Sequence, residues 1–110
     1  MKMDFNFKIT NSEGREIGNG KQTMILCLES GSLRDEKYLD KIELWLKSLK
    51  KDGTIECDLV DAREIKQMVL DSQAIYNVAK IPLKNYIQER IDTCTVDDKK
   101  TDSKKANHKI

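Results

Sequence analysis

Apolar and polar positions alternate from the first residues. Met3, Phe5, Phe7 and Ile9 fall on one face and Asp4, Asn6 and Lys8 on the other, the period of a half-exposed strand. Asn11-Ser12-Glu13-Gly14 has the composition of a tight turn, so the strand is predicted to fold back as a hairpin whose short return strand ends at Gly18-Asn19-Gly20. After residue 20 the period changes. The run "QTMILCLES", Gln22 to Ser30, fits a helix through Met24, Ile25 and Leu28 and a strand through Met24, Leu26 and Leu28. Periodicity admits both, and we read a short helix ending at Gly31-Ser32. Tyr38, Leu39, Ile42, Trp45, Leu46 and Leu49 then recur at three and four. Asp35 and Glu36 at the start, Lys50-Lys51 at the end and Gly53 beyond them complement the helix dipole and supply a left-handed stop.

Ile55 and Cys57 read as a short extended piece. Asp58 can then accept from the free N–H groups of a first helical turn, and Asp61 favours the same positive end, which predicts a helix from about Leu59 to Leu70 with Ala62, Ile65, Met68 and Val69 inward. A further start at or near Ser72 leads into Ala74, Ile75, Val78, Ala79, Leu83, Tyr86, Ile87 and Ile91. Pro82 lacks an N–H and crowds the preceding turn, so it kinks that helix or divides it. Beyond Cys94, "TVDDKKTDSKKANHKI" has almost nothing to bury and is expected to be disordered. The expectation is one α+β domain over residues 1–94, an N-terminal β-hairpin packed with three to five short helices, followed by a flexible charged tail over 95–110.

Composition narrows the function. With 110 residues the chain holds one modest core, and 35% charged residues stand against 38% hydrophobic ones. The net charge of +1 supplies no whole-molecule attraction to nucleic acid or an anionic membrane. The tail from Thr95 carries five lysines against three aspartates, a net of +2, which leaves −1 for the first 94 residues. No apolar run approaches the roughly 20 residues of a membrane span, and no hydrophobic signal core opens the chain. Three widely spaced cysteines, Cys27, Cys57 and Cys94, fit neither a disulfide framework nor a zinc pair; they read as reduced thiols of a cytoplasmic protein, two of them small core residues.

Candidate chemistry is sparse. "EGREIGNGKQT", Glu13 to Thr23, resembles a phosphate-binding loop, yet that pattern needs glycine where Arg15 stands and a hydroxyl where Gln22 stands, and it follows a buried strand rather than an alternating one. We read it as turn chemistry. The single histidine, His108, lies in the expected tail, where it has no fixed position from which to act as a general base or ligand. Asp58, Asp61 and Glu64 read as helix-start acids, and Asp97-Asp98 as a solvated pair without the further oxygens of a calcium loop. No catalytic, cofactor or metal residue is assigned. Trp45 and Tyr38 share a helical face and read as core, with an exposed protein anchor as the alternative. Together with Lys47, Lys50 and Lys51 they are the candidate partner-binding residues.

The order of signals is also familiar. A strand carrying Phe5 and Phe7, an Asn11-x-x-Gly14 turn, Gly20-Lys21 opening an apolar helix, a helix with Trp45 and Leu49, then Gly53 and Ile55-x-Cys57-Asp58-x-x-Asp61 with Ile65-Lys66, resembles a family of small proteins encoded by tailed phages and prophages. The likeness runs from about Met3 to Ile91 and leaves out the lysine-rich tail; Cys57 stands where a larger aliphatic residue is expected. That family has no established activity, so the resemblance implies an origin on a mobile element and brings no catalytic residue. The expected function is a non-enzymatic protein-interaction factor, accessory or host-directed, acting on another protein or on itself. The alternatives are weak nucleic-acid binding through lysines of the tail and of the helix ending near Lys51, and a structural or assembly component of a phage.

Overall fold

The structure, a computed structural model, describes residues 1–31 and 35–109, with side chains described through residue 94 except at 32–34. Its elements in order are β1 (Lys2–Asp4), β2 (Lys8–Thr10), β3 (Glu16–Asn19), α1 (Gly20–Glu29), α2 (Glu36–Asp52), β4 (Thr54–Glu56), α3 (Leu59–Asp71) and α4 (Asn77–Lys109). The class is α+β. The expected disorder over 95–110 concerns residues whose side chains lie outside those described, as does Ser32 in the expected stop after α1.

The expected first strand is two strands. β1 pairs antiparallel with β4, Met3 opposite Ile55, while β2 pairs antiparallel with β3, Ile9 opposite Gly18. A compact turn separates them: the Asp4 carboxylate accepts from both the backbone and side-chain N–H of Asn6, at 2.9 Å each, and the Phe7 N–H donates to the Phe5 carbonyl at 2.9 Å. The alternation survives this break. Met3, Phe5 and Ile9 are fully buried and Phe7 is half-buried, because each pairing partner lies on the side that keeps the apolar face inward.

The hairpin itself is as expected. Asn11 Oδ1 accepts from the N–H groups of Glu13 and Arg15, both at 3.0 Å, and a bulge between Ile9 and Thr10 leaves Ile17 half-exposed. Asn19 ends β3 and caps α1 in one step, its side chain accepting from the Gln22 N–H at 2.8 Å. The helical reading of the next run holds, with Met24, Cys27 and Leu28 buried and Leu26 outward. Gly20 is required by close approach: a Cβ there would stand 2.6 Å from the Phe5 carbonyl oxygen.

α2 starts after Asp35 and stops at Gly53, whose φ of 78° is left-handed. Ile42, Trp45 and Leu49 are its buried face; Leu39, expected inward, is exposed. Asp58 caps α3 by accepting from the Asp61 N–H at 2.8 Å, and Ala62, Ile65, Met68 and Val69 are all buried as expected. The expected start of the last helix is corrected. Ser72 closes α3 rather than starting a helix, its N–H reaching the Val69 carbonyl at 3.2 Å, and α4 begins at Asn77, where the Tyr76 carbonyl accepts from Ala79 and Lys80. Pro82 does not divide α4. It stands in the second turn, where its missing N–H deprives only the Val78 carbonyl of an intrahelical partner. Leu83, Ile87 and Ile91 complete the core, and the Tyr86 hydroxyl accepts from the Asp4 N–H at 2.7 Å, fastening α4 to the turn between β1 and β2.

Candidate functional site

Helix geometry separates the expected partner-binding residues. Trp45 is only 5% exposed and belongs to the core; Tyr38, two turns earlier on the same face, is half-buried beneath Lys41, whose ammonium lies 5.6 Å from the ring centre. Lys47, Lys50 and Lys51 project from the opposite side of α2, since two residues turn a helix by about 200°. Lys47 is within 3.5 Å of Glu43 and Lys50 within 3.3 Å of Glu29, so two of the three face acids of their own chain. Aromatic anchors and lysines do not form one surface.

The acids near the start of α3 have structural work. Asp58 caps α3, and the largely buried Asp61 accepts a 2.8 Å hydrogen bond from Lys41, joining α2 to α3. That bond holds the Lys41 ammonium above its ordinary pKa. On the other side of β4, Asp52 is held below the usual carboxylate range by bonds from the Thr54 hydroxyl and N–H. Burial pushes the Cys57 thiol up to about 11 and raises that of Cys27. Both stay protonated at neutral pH, a poor state for a nucleophile or metal ligand. The glycine-rich stretch is turn, strand and cap, with Gly14 at φ 80° in the loop.

A surface not singled out by the sequence lies where α3 and α4 pack side by side. The helices run antiparallel, so Arg63 and Lys66 share a cleft with Gln88 and Asp92 at one end, and Leu70 shares a second with Lys80, Ile81 and Lys84 at the other. The clefts measure about 440 and 310 Å³ and have Leu70 as a common wall. Leu70 is 39% exposed, Ile81 52% and Tyr76, immediately before α4, 85%. Exposed apolar side chains and cations thus lie side by side along this junction. The spacing was present in the sequence: Arg63, Lys66 and Leu70 follow the helical repeat one step beside the inward face of α3, and Asn77, Lys80, Ile81 and Lys84 do the same on α4. Nothing local in the sequence set the two stripes next to each other.

Among the described residues no His, Cys, Asp or Glu side chains group in threes as metal ligands, and no helix is long and apolar enough to cross a membrane. No family model, no curated protein and no solved structure matches this chain.

Proposed function

We propose that the chain is a non-catalytic protein-interaction factor, accessory or host-directed, of the phage or prophage kind its sequence resembles, and that it meets its partner through the α3/α4 junction. The observation that carries this reading is the exposure of Tyr76, Ile81 and Leu70 at one end of a helix pair whose inner faces are already filled. A tyrosine in the open is an anchor of the kind that dominates binding energy once covered, and the neighbouring aliphatic side chains add apolar area to bury. The carboxylates and thiol near the start of α3 support it in another way, since Asp58, Asp61 and Cys57 are occupied in capping, ion pairing and packing.

The test is a matched pair of captures from host lysate, one with the unaltered chain and one with Tyr76→Ala/Ile81→Ser. Both positions are exposed, so the variant should keep its circular dichroism and urea midpoint. A protein retained by the first bait and lost from the second is the expected result. Capture of only a small metabolite, or of proteins indifferent to the substitutions, rejects it.

A further inference from the structure

The chemistry of the partner is written in the charges around the groove. Elsewhere on the described surface four of the eight lysines lie against acids of the same chain: Lys8 near Glu16, Lys41 on Asp61, Lys47 near Glu43 and Lys50 near Glu29. Along the α3/α4 groove they do not. Lys66 donates to the neutral Gln88 amide oxygen at 2.6 Å, Lys80 to the Leu70 carbonyl at 2.9 Å and Lys84 to the Asn85 amide oxygen at 3.0 Å. With Arg63 these make four cations, none ion-paired among the described residues. Asp71, at the end of α3, and Asp92, in the cleft, accept instead from Gln67 at 2.9 Å and Gln88 at 2.8 Å. Glutamine amides thus occupy acids that stand within a turn of the cations, and the cations are left facing outward.

We propose that this groove docks an acidic protein segment, apolar side chains seated on Leu70 and Ile81 and carboxylates facing Arg63, Lys66, Lys80 and Lys84. The assignment rests on the protein-interaction reading above and adds the partner's chemistry to it. A groove with cations at both ends and exposed apolar walls matches a ligand of opposite charge and the same polarity pattern, which gains on-rate and register from charge and residence from burial. Single-stranded nucleic acid is the less suitable occupant. The walls between the cations are aliphatic side chains and amides, and neither cleft is lined by an aromatic ring on which a base could stack. Asn77 to Asp92 along α4 covers about 22 Å, so a helical peptide of about 16 residues spans the site.

The experiment selects random displayed peptides of about that length on the full chain. The enriched sequences are then measured against Arg63→Glu/Lys84→Glu, its neutral counterpart Arg63→Gln/Lys84→Gln, and a control on the far side, Lys47→Glu/Lys51→Glu. All four positions are at least partly exposed, and circular dichroism checks each variant. Expected is enrichment of peptides rich in Asp and Glu with apolar residues at helical spacing. Their affinity should fall about tenfold or more in the charge-reversed variant, less in the neutral one, and hardly at all in the control. No enrichment, peptides without acidic bias, or affinity indifferent to Arg63 and Lys84 overturns the assignment. Peptides that bind elsewhere leave the protein-interaction reading standing. A single-stranded oligonucleotide that binds more tightly than the selected peptides at about 150 mM salt, with a steep salt slope, overturns both.

Discussion

Gly14 and Gly53 have nearly the same backbone angle, φ 80° and 78°, in different surroundings, and together they separate two costs that usually arrive combined. A Cβ on Gly14 would meet nothing within 4 Å, whereas one on Gly53 would collide with the carboxamide of Asn6. Gly14→Ala should therefore cost only the left-handed strain of an L-residue, about 1 kcal/mol. Gly53→Ala adds displacement of Asn6, whose side-chain N–H bonds to the Asp52 carbonyl at 2.7 Å and the Asp4 carboxylate at 2.9 Å hold the turn between β1 and β2. Asn6 is exposed, so each lost bond is worth about 0.5 to 1 kcal/mol, and the total comes to about 2 to 3 kcal/mol. In urea, with a slope of about 1.5 kcal/mol per molar, the midpoint should drop by about 1.3 to 2 M for Gly53→Ala and by about 0.7 M for Gly14→Ala. Trp45, buried and single, reports the transition by fluorescence. Asn6→Ala removes the obstacle, so in that background Gly53→Ala should cost no more than Gly14→Ala. Equal costs for the two glycines in the unaltered chain, or an unchanged Gly53→Ala cost after Asn6→Ala, would refute the reasoning.

Asp58→Ala removes the cap on the Asp61 N–H and should destabilise by about 1 kcal/mol in the same urea assay, while Asp58→Asn should retain most of the stability. Cys27 and Cys57, buried and held protonated, should resist a thiol reagent at pH 8 in the folded chain and react in urea, with Cys94 the group that labels first; rapid native labelling of all three would contradict the core placement. Because the folded pKa of Lys41 is raised, its contribution is fully present below the ordinary value of 10.5 and is lost as pH rises through the folded value; Asp61→Asn should abolish that alkaline loss. The folded pKa of Asp52 is lowered, so its contribution is present above the ordinary 3.8 and is lost as pH falls through the folded value; Thr54→Val should weaken this acid-side dependence.

Local chemistry was legible wherever one segment decides its own conformation. The turn at Asn11 to Gly14, the left-handed stop at Gly53, the cap at Asp58 and the inward face Ala62, Ile65, Met68 and Val69 follow from residue types at fixed spacing, because their hydrogen bonds and periods close within a few residues. Partners distant in sequence were not legible. Whether Met3 to Ile9 forms one strand or two depends on β4, some fifty residues later, pairing with its first part while β3 pairs with its last, and alternation reads the same either way. The place where α4 begins is likewise decided by where the chain must turn for Leu83, Ile87 and Ile91 to reach the core, and Pro82 is tolerated because it falls in the second turn. The candidate interface belongs to this second kind. Arg63, Lys66 and Leu70 on one helix and Lys80, Ile81 and Lys84 on another are ordinary exposed stripes in the sequence. They become a groove with a charge and a polarity only when packing of the opposite faces sets the two helices antiparallel, since a surface between elements is a property of their arrangement and not of either one alone.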